Sequence, residues 1–250
     1  MKKALVLALL AAPLLHGQTV KQVTDRRSSS FAQLSILLEL PKVKNGDVAA
    51  SRVRVTSATD DTGRSLVPDP GDEPRFDSNQ RMGPPDPEVA ARPATVNVEL
   101  KSPDRKATRV KDVRGEIELY MPSKDANSVA EVAKFPTLTG KVSHRALAAN
   151  GVEITVLTPA QIKELGDSVS VDEGDLLVRV KDPNKRMQEL EYVMGDGETK
   201  PATARTDPDT GLTTISTWGK LQPDWKLRVS MKTPKNVVKQ AFAIADVALP

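Results

Sequence analysis

Strict alternation of apolar and polar residues dominates this 250-residue chain. Leu34, Ile36, Leu38 and Leu40 would share one face of a strand, and Val53 and Val55 recur between Arg52, Arg54 and Thr56. The pattern returns at Val96, Val98 and Leu100, at Ile117, Leu119 and Met121, at Val152, Ile154 and Val156, and at Val178 and Val180. Its most regular instance sets Trp225, Leu227, Val229 and Met231 against Lys226, Arg228, Ser230 and Lys232. Side chains on a strand point to opposite faces in turn. A period of two with polar partners therefore marks strands buried on one side, the habit of antiparallel sheets. One short helix is expected as well. Thr158 is a good N-cap, Pro159 fits the first turn, and Gln161 completes a Thr-x-x-Gln capping box. Ile162 and Leu165 supply its apolar stripe and Gly166 ends it.

Two stretches look duplicated. VNVELKSP at 96–103 is similar to LRVSMKTP at 227–234, and each precedes another strand-like run, RVKDV at 109–113 and AIADV at 243–247. Turn-forming DDTG at 60–63 and DPNK at 182–185 come before them. The expected fold is all-β: two immunoglobulin-like antiparallel β-sandwich modules of ordinary domain size, with the short helix in the second. The first module would span 31–123, a linker 124–134, and the second module 135–250. Residues 18–30 are polar without a sustained period and read as a tether. Residues 67–93 hold seven of the 19 prolines and few large apolar side chains, chiefly Val67, Phe76, Met82 and Val89. That many prolines argue against a central strand or a helix. The segment reads as a solvated insertion ahead of a binding loop.

The first 17 residues read as a leader. Lys2 and Lys3 precede an apolar run over 4–15, too short to cross a bilayer and suited to a signal peptide. Cleavage after Gly17 would start the mature chain at Gln18. No later run is apolar enough to span a membrane, so export to the periplasm or the cell exterior is the expectation. Losing the two lysines takes the net charge from +3 to +1, which removes most of the basic character. An exported protein is allowed disulfides, yet this one has no cysteine, which excludes thiolate nucleophiles, zinc-thiolate sites and iron–sulfur clusters. Leu, Ile, Val and Phe total 61 residues, above the disordered range, so packed cores must hold the fold.

Few side chains offer chemistry. Only His144 remains once the leader is gone. Ser143 beside it would point to the opposite face of a strand, and no GxSxG elbow exists, so His144 reads as an ordinary strand histidine. Three acidic groups invite a calcium reading: Asp69, Asp72 and Glu73; Asp172, Glu173 and Asp175; and Asp207, Asp209 and Gly211 as D-x-D-x-G. None completes a twelve-residue calcium loop, and turns select Asp and Gly for backbone reasons. Lys101, Arg105, Lys106, Arg109, Lys111 and Arg114 face only Asp104 and Asp112. Their local excess of positive charge would suit an anionic polymer or membrane headgroups, but without interleaved aromatics they do not suggest nucleic acid, and they read first as protection for an exposed strand edge. Among the aromatics, Trp225 falls on the apolar face of its strand. Trp218, before Gly219, reads as core ahead of an exposed binding platform.

The leader, the DDTG turn, VNVELKSP with RVKDVRGEIEL, and the closing FAIADVALP together resemble uncharacterised exported bacterial proteins with immunoglobulin-like sandwich modules. The resemblance covers 31–250. It implies an all-β architecture and brings no activity, cofactor or catalytic residue with it. The function this suggests is a non-enzymatic exported protein, without cofactor or metal, that binds another envelope protein or a surface glycan. Two other readings stand beside it. One is a glycan hydrolase with a carboxylate pair, which would need two carboxyls about 5 to 9.5 Å apart. The other is a purely structural spacer, since fold alone does not fix function.

Overall fold

The computed structural model describes residues 18–28, 32–69, 76–78, 86–165, 172 and 174–250. The expected leader lies outside these residues, as do 70–75 and 79–85 of the proline-rich segment. The alternating runs form strands, and the chain is mostly β with antiparallel sheets and few helices. The first half holds β1 (Thr19–Arg27), β2 (Ala32–Lys44), β3 (Ala50–Asp60), β4 (Asp77–Ser78), α1 (Pro87–Ala91), β5 (Pro93–Lys101) and β6 (Arg109–Tyr120). The second half begins with β7 (Val129–Val132), β8 (Gly140–Lys141), α2 (Arg145–Ala149), β9 (Glu153–Val156) and α3 (Pro159–Glu164). It continues with β10 (Asp175–Lys181), β11 (Met187–Val193), β12 (Thr199–Thr206), β13 (Thr213–Ser216) and β14 (Lys226–Met231), and the chain closes with β15 (Val237–Ala248). No helix among the described residues is long and apolar enough to cross a membrane.

Two sheets enclose the first core. One runs β1-β2-β5, the other β15-β6-β3-β4. Leu34, Ile36, Leu38 and Leu40 of β2 and Val96, Val98 and Leu100 of β5 share this core with Ala58, Val110, Val113, Ile117, Leu119, Phe242 and Ile244 of the other sheet. The second core lies within an eight-stranded sheet of order β7-β14-β11-β12-β13-β10-β9-β8. Strand β12 changes partner midway: 199–202 pair with β11 and 203–206 with β13. Pro201, which has no N–H to give, sits just before the change. The two parts of the sheet bring Val132, Tyr192, Leu227 and Val229 against Ile154, Val156, Val178 and Ile215.

Helix α3 carries the capping box read from the sequence, with the Thr158 side chain accepting from the Gln161 N–H and the Gln161 side chain from the Thr158 N–H. Other expectations are corrected. Thr19–Arg27 is no tether but an edge strand registered along β2, with Val20 and Val23 packed on the first core. The proline-rich segment contains a helix after all: Asp86 caps α1 by accepting from the Glu88 N–H, and Pro87 occupies the first position, where no N–H is needed. The closing strand differs from the expected 135–250 grouping. β15 pairs with β6 along its whole length, from Val237↔Tyr120 to Ala248↔Arg109, and Phe242 and Ile244 enter the first core. The runs 109–113 and 243–247, read as equivalent strands of two repeats, are thus neighbours in one sheet.

Candidate functional site

Ser143 and His144 are not on a strand. The His144 side chain caps α2, its Nδ1 accepting from the Ala146 N–H at 3.1 Å. Coil geometry lets both residues line one open depression of about 280 Å³, with Glu131, Val132 and Ala133 opposite, between the sheet-edge strands β7 and β8. The cap uses the nitrogen that a carboxylate would have to orient in a catalytic relay. Glu131, the acid of the depression, accepts from Arg228 Nη2 at 2.8 Å and Nε at 2.9 Å, and Lys226 lies 3.7 Å away. The Arg228 hydrogen bond is the main cause that holds its carboxyl below the usual range. A group kept ionised in this way is a poor proton donor.

The acidic groups resolve into turns. Asp207 Oδ1 accepts from the N–H groups of Asp209 and Thr210 and from the Thr210 hydroxyl, which lowers its pKa. Asp175 Oδ2 accepts from the Asp172 N–H, and Asp69 pairs with Lys101 at 2.6 Å. Asp72, Glu73 and Glu173 lie outside the described residues. Among the described residues no cluster of three acids or histidines could hold a metal. The basic run also changes meaning. β6 lies between β15 and β3, so Arg109, Lys111 and Arg114 guard no free edge. They stand exposed on the face of a central strand, and Arg114 pairs with Asp112 at 3.1 Å.

The aromatic side chains separate cleanly. Tyr120 and Tyr192 are fully buried, and Trp225 is a core residue, its ring 5.9 Å from that of Tyr192. Trp218 is 91% exposed, which corrects the core expectation. The loop that displays it is braced. The Thr217 N–H donates to Gly174 O and its hydroxyl to Pro201 O, both at 3.1 Å. Gly219 takes a φ of +81°, and Leu221 folds back onto the second core. Gly174 lies so close beneath that a Cβ there would fall 2.8 Å from Gly219 O and closer still to Thr217 O. A large flat ring is held out in solvent by packing beneath it. Nothing adjacent in sequence announced the Gly174 contact that makes this possible.

Comparison of the chain with protein families, with curated proteins and with solved structures finds no match.

Proposed function

We propose that this is an exported, non-enzymatic protein of immunoglobulin-like β-sandwich modules that binds a surface glycan through Trp218. The observation that carries the reading is the 91% exposure of Trp218 on a braced loop. Exposing a tryptophan to water is unfavourable, and rigid display limits the entropy lost on binding. A partner protein would want a contiguous apolar centre in an interface of about 1,000 Å² or more. Among the described residues Trp218 is the exposed large hydrophobic side chain, and its flanks are Thr217, Gly219 and Lys220. One apolar ring with polar neighbours suits a sugar, whose C–H face can stack while its hydroxyls meet the polar groups. Export rests on the leader at 1–17. The hydrolase reading gains no support from the acids, since the carboxyls with resolved shifts, Glu118 and Glu131 among them, are shifted downward.

Titration with soluble fragments of envelope polysaccharide, followed by tryptophan fluorescence, tests the reading. Trp218→Ala is expected to weaken binding at least about tenfold. The midpoint of thermal unfolding should stay where it was, because so exposed a ring contributes little to the fold. Equal binding by the variant, or no glycan bound by the unsubstituted chain, refutes it.

A further inference from the structure

We infer that Phe76 is a strap that fixes the second half of the protein against the first, gripped by cations from both. The chain crosses between the two cores twice, through 121–128 and 233–236. These connections run side by side. The Met121 N–H donates to Asn236 O at 2.8 Å. Fully buried Asn236 accepts from the Thr233 N–H at 2.7 Å and donates to Met231 O at 2.8 Å. Two adjacent connections resist stretching and twisting but leave bending about their common line comparatively free. A further contact between the halves helps to select one angle.

Phe76 supplies that contact. Asp77 and Ser78 pair with Ser51 and Ala50 at the beginning of β3, which sets the ring at the junction. The Arg52 guanidinium lies 4.7 Å from the ring centroid and the Lys232 ammonium 5.3 Å. Arg52 belongs to the first sheet, where its Nε donates to Glu118 at 2.8 Å, and Glu118 also pairs with Lys239 of β15 at 2.7 Å. Lys232 belongs to the second half. Its N–H donates to Arg186 O at 2.7 Å, and Arg186 Nη1 returns a bond to Lys232 O at 3.3 Å. The π-face of the ring attracts each cation, while the cations repel one another. Burial and the Arg52 charge both push the Lys232 pKa down, as expected of an ammonium enclosed at such a junction. The Glu118 carboxylate, bonded to Arg52, and Asp182 also attract the Lys232 ammonium, and the ring adds a contact that both cations share. The described anchor of the proline-rich segment is thereby a brace between halves, a role separate from ligand capture at Trp218.

The absence of cysteine allows a direct test on the full chain. Lys106→Cys and Glu198→Cys place one spin label on an exposed position of each half. Pulsed electron paramagnetic resonance then reads the distance between them. A single narrow distribution is expected with Phe76 present, broadening at least about twofold in Phe76→Ala, and staying narrow in Phe76→Tyr. Circular dichroism confirms that each variant is folded. Lys232→Gln leaves the ring and the Arg52–Glu118 pair in place, so it reports even where Phe76→Ala fails to fold, and it too is expected to broaden the distribution. A distribution in either folded variant that superimposes on that of the unsubstituted chain overturns the inference.

Discussion

Asp60 is fully buried and still ionised, because donors surround it. Its Oδ1 accepts from the Thr62 N–H at 3.0 Å, the Thr62 hydroxyl at 2.7 Å and the Arg64 N–H at 2.9 Å. Its Oδ2 accepts from the Asp104 N–H at 2.9 Å. Burial pushes the pKa up, and these bonds more than offset it, leaving the group below its ordinary 3.8. The DDTG turn is therefore a clasp that pins the β5–β6 connection to β3. Asp61 extends it by accepting from both the N–H and the hydroxyl of Thr108. Because the folded pKa lies below the unfolded one, the stabilisation is present at neutral pH. It declines as pH falls through the ordinary value and is gone once pH passes below the depressed one. Asp60→Ala is expected to lower the free energy of unfolding by about 3 kcal/mol, since several donors lose their acceptor at once. It should also reduce the acid sensitivity of what stability remains. Urea titrations at neutral pH and near pH 3 measure both effects, and a variant as stable as its parent at neutral pH would show that water serves the donors equally well.

Elements whose cues are local were legible, and those that depend on distant partners were not. The capping box of α3 lies within four residues and reads directly. The strand character of 19–27 does not, because Val20 and Val23 are its few apolar residues and the ladder comes from β2. Asp86-Pro87 carried a good helix-start signal that the surrounding prolines hid. The exposure of the basic run follows from its charge, but its place on a central strand rather than an edge depends on β15, more than a hundred residues away. β15 is itself an edge strand with devices that blunt pairing: Asp246 distorts its backbone with a φ of +54° without interrupting its register on β6, and Gln18 Nε2 caps Ala241 O at 3.2 Å. Trp218 was legible as a candidate and not as exposed, because exposure depends on Gly174 admitting the 217–219 backbone. That dependence can be tested. Gly174→Ala is expected to displace the loop, weakening glycan capture several-fold while Trp218 remains in the sequence, and wild-type affinity in this variant would mean that the brace is dispensable.

The largest departure from the sequence reading concerns the whole molecule. A first module ending near residue 123 looks self-sufficient in the sequence, since β2, β5 and β6 all carry clear alternation. Its core is nonetheless completed by β15, so the second half is an insertion between two strands that lie side by side. The fit between those strands is specific. A Cβ at Gly115 of β6 would fall closest to Arg54 O of β3 and 2.6 Å from the Phe242 ring of β15, so the absence of a side chain there makes room for both neighbouring strands. Removing β15 would take Phe242 and Ile244 out of the first core and leave β6 without one neighbour along its length. Each buried residue of that size is worth about 2 to 5 kcal/mol, against a total stability for an ordinary domain of about 5 to 15 kcal/mol. A fragment of residues 18–123 is therefore expected to be unfolded or molten. The same fragment with 237–250 joined through a short linker should unfold cooperatively. Residues 129–231 enclose a core of their own and are expected to fold without either. Circular dichroism and calorimetry on the three chains distinguish this from two sequential modules, for which 18–123 would fold alone and 129–231, deprived of its last strand, would not.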